Sequence, residues 1–322
     1  MTRVLVTGAT TPLGVALVER LLASDTTEHV LAVGVEPRWR GVGGGDRLTY
    51  RVADLTRPRR VRRLLFGPAR DLGIEVLVHG PLHRSARDRG RHVRQLNVES
   101  TRALLELAED HPALRRLVFR SFAEVYRMQS DLGCLISESH PLDLSPGRPQ
   151  RMRDRVEADL TVCGRMGLTQ DLSIIVLRCA EVMAPSSGSQ LHDYLQSRVC
   201  FRPLGFDPMI QVLSLEDAAR VLALAIGSDR EGVFNAAGLD VLPLSRAIQL
   251  SGQTEVPVPG PLLGPLYAAR SMTRGTEFQY GLNKARFHFS GVLDGRRAAD
   301  ELGYTPENPV EWASVAPSRE RR

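Results

Sequence analysis

The chain has 322 residues, 43% of them hydrophobic and 25% charged, with a formal net charge of +5, enough for one large domain or a domain with a smaller lobe. Lys284 is the only lysine; the arginines are spread among acids, with no aromatic-interleaved basic block, no metal-ligand spacing and no apolar run near the ~18 residues that span a bilayer. A nucleic-acid partner, a metal site and a transmembrane segment are therefore not expected, and four scattered cysteines without a C-x-x-C point to a reduced, cytoplasmic protein.

In chain order, Arg3-Val4-Leu5-Val6-Thr7-Gly8-Ala9-Thr10-Thr11-Pro12-Leu13-Gly14 reads as a strand, a glycine turn and a helix start, the opening of a dinucleotide-binding unit. Short runs rich in Val, Ile and Leu follow at 30–35, 48–52, 76–79, 117–120 and 173–177, as central parallel strands require. Helical stretches at 12–23, 58–72, 90–110 and 151–167 lie between them. This alternation predicts an α/β fold, a doubly wound parallel Rossmann-type sheet. Residues 1–178 form it, with 211–237 returning to it through a helix at 215–228 and a strand at 233–235. Residues 179–210 and 238–322 form a smaller C-terminal substrate-type lobe and tail. In that lobe Pro257, Pro259, Pro261 and Pro265 mark a loop, 293–302 is a late helix, and the polar tail 317–322 frays.

These segments together resemble the extended short-chain dehydrogenase/reductase family, of the NAD-dependent epimerase/dehydratase type. Thr7-Gly8 through Gly14 is similar to its T-G-x-x-G-x-x-G turn, and Asn97 to Thr101 to its N-x-x-x-T segment. Residues 118–126 resemble the strand carrying the catalytic serine or threonine, Leu177-Arg178 the start of the substrate lobe, and Leu302-Gly303-Tyr304-Thr305-Pro306 a late family segment. The resemblance implies a dinucleotide at Gly8, Thr11, Pro12 and Gly14. It places Asp54 and Leu55 at the adenine, and Glu36 at a ribose 2′-hydroxyl, which favours NAD over NADP. It also implies a homodimer through the helices at 90–110 and 151–167, where Met152, Val156, Leu160 and Cys163 recur at helical spacing.

The chain departs from the family where the chemistry lies. Thr11 stands at the middle glycine of the turn, and Pro12 has no N–H for a phosphate. The same pair reads equally as an N-cap followed by proline at the first helical position. Binding of NAD is expected to be weak or absent. Aligning Arg155-Val156-Glu157-Ala158-Asp159 with the family's K-x-x-A-E puts Arg155 at the lysine and Arg151 at the tyrosine of Tyr-x-x-x-Lys. Arginine releases no proton near neutrality. Phe122 falls at the hydroxyl position, and Ser121, one residue away on the strand, faces the other side. No catalytic residue is assigned.

His79, His83, Glu124 and Tyr126 are placed at the cleft mouth, with His79 also read as structural, and Pro81 removes a further amide there. Arg151, Arg155 and Arg178 either converge on an anion beside Phe122 and Tyr126 or are ion-paired with neighbouring acids. The leading expectation is a non-catalytic member, a pseudoenzyme, that binds an anionic small molecule or a protein. The alternatives are an NAD-dependent epimerase or reductase with altered catalytic residues, acting on a sugar-nucleotide or lipid-linked substrate, and a subunit that pairs with an intact paralogue.

Overall fold

The computed structural model describes residues 1–80, 87, 89–168, 171–274 and 277–315. The first half alternates β1 (Thr2–Thr7), α1 (Pro12–Ala23), β2 (Thr27–Gly34), β3 (Leu48–Val52), α2 (Pro58–Leu64), β4 (Val76–His79), α3 (Arg91–Arg94), α4 (Ser100–Glu109) and β5 (Arg116–Phe122). There follow β6 (Leu135–Ile136), α5 (Gln150–Cys163), β7 (Ser173–Cys179), β8 (Glu181–Val182), α6 (Gln190–Leu195), β9 (Val199–Pro203), β10 (Met209–Leu213), α7 (Leu215–Gly227) and β11 (Gly232–Ala236). The chain closes with β12 (Asp240–Pro243), α8 (Leu244–Leu250), β13 (Thr254–Val258), α9 (Gly260–Arg274), α10 (Tyr280–Asn283), β14 (Val292–Leu293), α11 (Arg296–Leu302) and α12 (Trp312–Val315).

Seven parallel strands form the central sheet in the order β3-β2-β1-β4-β5-β7-β11. The strand order reverses between β1 and β4, which opens a crevice at their carboxyl ends. Alternation along β1 sends Val4 and Val6 into the core layer with α1 and α7, and Leu5 into the layer with α2 and α4. Both faces are covered, so these strands read as continuous apolar runs. Strand β11 completes the sheet, while β10 pairs instead with β8 and β12 in a separate three-stranded sheet. The C-terminal part has its own core around Tyr194, whose ring lies 5.1 Å from Phe278 and 5.0 Å from Phe287 between centroids.

Three expectations need correction. The helical stretch at 58–72 is broken by a wide turn at Leu65–Ala69, where Gly67 leaves helical dihedrals and Pro68 follows. The stretch at 90–110 has the same kind of turn at Gln95–Glu99, containing Asn97, whose amide donates to the Val93 carbonyl over 3.0 Å. The proline loop is instead a strand and a helix. Pro257 sits in β13, paired on one side by β9, and Pro261 and Pro265 lie in α9; a strand of a two-stranded pair tolerates proline where no ladder bond is lost. The residues of the α5 stripe divide between the chain's own core and its surface, which leaves the expected pairing of two chains untouched. Met152 and Val156 are buried in their own chain, and Leu160 is 44% exposed. Beside it Arg94 grips Glu157 with two hydrogen bonds, of 2.7 and 2.5 Å. Pro81 and His83, and the tail 317–322, lie outside the described residues.

Helix α1 is held against β1 by a glycine. A Cβ at Gly14 would lie 2.3 Å from the Gly8 carbonyl oxygen and 2.7 Å from the Ala9 Cα. Both obstacles are backbone, so nothing can swing aside. Gly14→Ala is expected to destabilise the protein by about 3 kcal/mol, read as a lower urea midpoint at unchanged slope.

Candidate functional site

The crevice begins at the β1–α1 turn. Gly8 has φ of 62°, which favours glycine. Thr11 caps α1: its hydroxyl donates to the Gly8 carbonyl at 2.8 Å and accepts from the Gly14 amide at 3.1 Å. Pro12 takes the first helical position. The Gly14 amide is thus occupied, Pro12 has none, and the Thr11 amide donates to Gly8 at 3.0 Å. The set of amides that could face a dinucleotide pyrophosphate is thereby reduced. Glu36 accepts from the Thr10 hydroxyl, which draws its carboxylate onto the turn. Asp54 accepts from the hydroxyl and amide of Thr56 at 2.6 and 3.0 Å, and those bonds hold its carboxyl below the usual range despite partial burial. Leu55 is buried in the core layer of α2.

His79 closes the floor of the crevice and is buried. The Thr101 hydroxyl donates to the Asn97 carbonyl at 2.7 Å, so it accepts from His79 Nε2 at 3.0 Å. Nδ1 then accepts from Thr7 at 2.8 Å. This fits a neutral imidazole, and burial pushes its pKa down to about 4.

The second wall is formed by the end of β5, α5 and β8. Phe122 is gripped by two guanidiniums, with Arg155 Cζ 3.4 Å and Arg120 Cζ 3.8 Å from its ring centroid. Two such groups so near one centroid must stack on opposite faces. Arg155 is 1% exposed and donates directly to Glu124. Arg286 reaches in from the chain after α10 and lies 2.7 Å from Glu181 and 3.5 Å from Glu124. Glu181 also accepts from the Leu191 amide at 3.0 Å, at the start of α6. Burial alone would raise the Glu124 carboxyl, but Arg155, Arg151 and Arg286 outweigh it and hold the group well below the carboxylate range. Burial dominates at Glu181 and raises it. Arg151 donates to the Gly188 carbonyl, tying α5 to the loop that precedes α6.

Two residues expected beside these arginines lie in another network. Arg178 makes a double contact with Asp159, at 3.1 Å from Nε and 2.7 Å from Nη2. Its guanidinium stacks 4.9 Å from the Tyr126 ring centroid. The Tyr126 hydroxyl donates to Asn235 at 2.7 Å, and burial pushes its pKa up to about 12. Arg178 is thus ion-paired, and Tyr126 is held in a packed hydrogen-bond chain although its ring borders Glu124 and Arg286. Ser121 donates to Asp159 at 2.5 Å, on the Arg178 side and not with Arg151 and Arg155. Arg120, Glu181 and Arg286 were missed in the sequence. Arg120 left a signal, a charge inside the apolar run of β5, as did Glu181 between Ala180 and Val182. Arg286 left none. Among the described residues no group of His, Cys, Asp and Glu has metal-site geometry, and no helix is long and apolar enough to cross a membrane.

A parallel sheet with a reversed strand order, a glycine turn at its first crossover and a lobe over its carboxyl edge define a Rossmann-type protein of the short-chain dehydrogenase/reductase class. A family model described as the NAD dependent epimerase/dehydratase family matches residues 4–200, and the chain belongs to that family. An uncharacterized protein of Mycobacterium tuberculosis is 29% identical over 320 residues, covering 97% of this chain and 81% of that one. Among solved structures, Pal from Bacillus thuringiensis aligns with a TM-score of 0.72 at 16% identity, covering 98% of this chain and 97% of that one. The dTDP-glucose 4,6-dehydratase DesIV of Streptomyces venezuelae, with NAD and TYD bound, gives 0.69 at 20%, covering 98% and 95%. At these identities the structural matches show a shared fold alone.

Two outcomes follow from this electrostatic arrangement. The folded state keeps His79 neutral, whereas the unfolded chain protonates it near pH 6.5. The stability it contributes is present above that value and is lost as pH falls toward about 4, amounting to about 3 kcal/mol. Urea midpoints measured from pH 7 to 4 should therefore slope less steeply in His79→Gln than in the wild type; equal slopes would reject the assignment. Removing one side of the buried pair strands the other. Arg155→Met should cost about 3 kcal/mol, and adding Glu124→Gln should recover most of it.

Proposed function

We propose that this chain is a non-catalytic member of the epimerase/dehydratase family that works as a ligand-binding module. The observation that supports this best is the burial of Arg155 between Phe122 and Glu124. The family resemblance assigns that position to the lysine of Tyr-x-x-x-Lys. A guanidinium committed to a carboxylate and a ring neither gives nor takes a proton near neutrality. Arg151, assigned to the tyrosine, is likewise a guanidinium and is bound to Gly188. Tyr126 is the nearby phenol, and its proton is engaged by Asn235.

The alternative is an NAD-dependent enzyme with changed residues. It draws on the cavity that persists over the β1–α1 turn, bordered by Thr7, Thr11 and Gly14. Solved relatives of this fold hold NAD with UDP-glucuronic acid or UDP-glucose. One experiment separates the readings. The purified protein is incubated with NAD and UDP-glucose or dTDP-glucose, and nicotinamide absorbance and products are followed. The non-catalytic reading expects neither to change; turnover would overturn it. Calorimetric titration with NAD should show little heat for the wild type, while Thr11→Gly with Pro12→Ala should tighten NAD binding by about tenfold or more, as two phosphate-facing amides become available.

A further inference from the structure

The cavity over the β1–α1 turn has a polar mouth and a mostly apolar interior. Its buried lining is Val6, Leu17, Val78 and Leu222, with Thr7 and His79 bonded to each other and His79 to Thr101. Its mouth carries Arg120 and Ser186. The volume is about 70 Å³, room for a small group and far below the space a dinucleotide takes.

Arg120 is the unusual feature. Its Nε is buried without a hydrogen-bond partner, and no carboxylate lies within ion-pair distance of it among the described residues; the favourable groups near it are the Cys179 thiol and, further off, Glu124. The two carboxylates nearby are already used: Glu124 by Arg155, and Glu181 by Arg286. Two nitrogens of Arg155, Nε and Nη2, also lack partners. Burial lowers the pKa of Arg120 and, with Arg151 beside it, that of Arg155. Stacking on Phe122 offsets part of this cost but supplies no negative charge. A buried cation whose nearby carboxylate is already committed to other arginines is costly, and an anion beside it removes the deficit.

The mouth is also shaped for contact. Ser186 has φ of 53°, in the left-handed region, and is exposed beside Arg120. Such strain persists only where the surroundings impose it. Here Arg151 fixes the Gly188 carbonyl and the Ser187 hydroxyl donates to Val182 at 2.9 Å, which pins the two residues that follow Ser186.

We propose that this cavity binds a small amphiphilic anion, with a single phosphate or carboxylate head on Arg120 and Ser186 and a short apolar body in the pocket beneath. This rests on the non-catalytic reading of the cleft and names the ligand class it takes. It differs from dinucleotide binding in that the head is received by a side chain of β5 and not by the amides of the turn. Arg151 is a positioning residue that holds the loop.

The test is calorimetric and thermal-shift titration of the full chain, without NAD, using monobutyl phosphate, butyrate, inorganic phosphate and 1-butanol. Monobutyl phosphate or butyrate should bind saturably, and whichever binds more tightly identifies the head group. Inorganic phosphate should bind at least about tenfold more weakly, and 1-butanol not detectably. Arg120→Met should abolish the binding. Arg120→Lys keeps the charge and loses the fork, so it should weaken binding about tenfold, and it serves if Arg120→Met does not fold. Equal binding of 1-butanol, no saturable binding of either amphiphile, or unchanged affinity in Arg120→Lys would overturn the proposal. None of these results alters the turnover assay, so a failure here is distinguishable from a failure of the non-catalytic reading.

Discussion

The contact on which the cleft depends is the buried pairing of Arg155 with Glu124. It joins α5 to the turn that ends β5. Arg286 extends the same cluster to Glu181 at β8 and to the start of α6, so the C-terminal part is fastened to the sheet through largely buried charges. Inside a low-dielectric site such contacts are strong, and each member is expensive to leave alone. The cluster can therefore be lost as a unit more cheaply than one residue at a time.

A second buried network lies across the same helix. Asp159, one turn beyond Arg155, takes Arg178 and Ser121, and through the Arg178 stack it reaches Tyr126 and Asn235. Here charges balance one to one and the hydrogen bonds are complete. Around Phe122 they do not balance, since Arg120 has no carboxylate within ion-pair distance among the described residues. A structural pair has no reason to remain incomplete, whereas a site that receives a ligand does. This contrast separates the two networks more clearly than burial, which is nearly equal in both.

The sequence made some of this legible. Thr11-Pro12 announced a capped helix start because capping is local chemistry, and the structure has that cap. The doubly wound parallel sheet followed from the alternation of short apolar runs with helical stretches. The structural reading of His79, one of its two, agrees with its buried hydrogen bonds to Thr7 and Thr101. What stayed hidden depends on distance along the chain. Arg286 meets Glu181 from 105 residues away, and nothing in local spacing announces that. Arg178 was grouped with Arg151 and Arg155, either converging on an anion or ion-paired with neighbouring acids, and the structure has the second, with Asp159. Strand alternation beside a helix carrying both Asp159 and Arg155 decided this, sending Ser121 and Arg178 to one partner and Phe122 to the other.

The two ends of the crevice have the same physical character. At the turn, Thr11 consumes an amide that a phosphate would otherwise occupy, and proline removes another. Across the cleft, Arg155 and Arg151 each commit a donor from within, to Glu124 and Gly188. A binding fold normally leaves such groups unsatisfied, at a cost in stability that the ligand recovers. Here the turn is satisfied from within and Arg155 has its carboxylate, whereas Arg120 has none within ion-pair distance among the described residues. Arg120 lies on the strand beside the cavity, and not on the turn or on α5, where the family resemblance directs attention. The position of the remaining unmet charge is therefore a better guide to a ligand than the motif that gives the fold its resemblance.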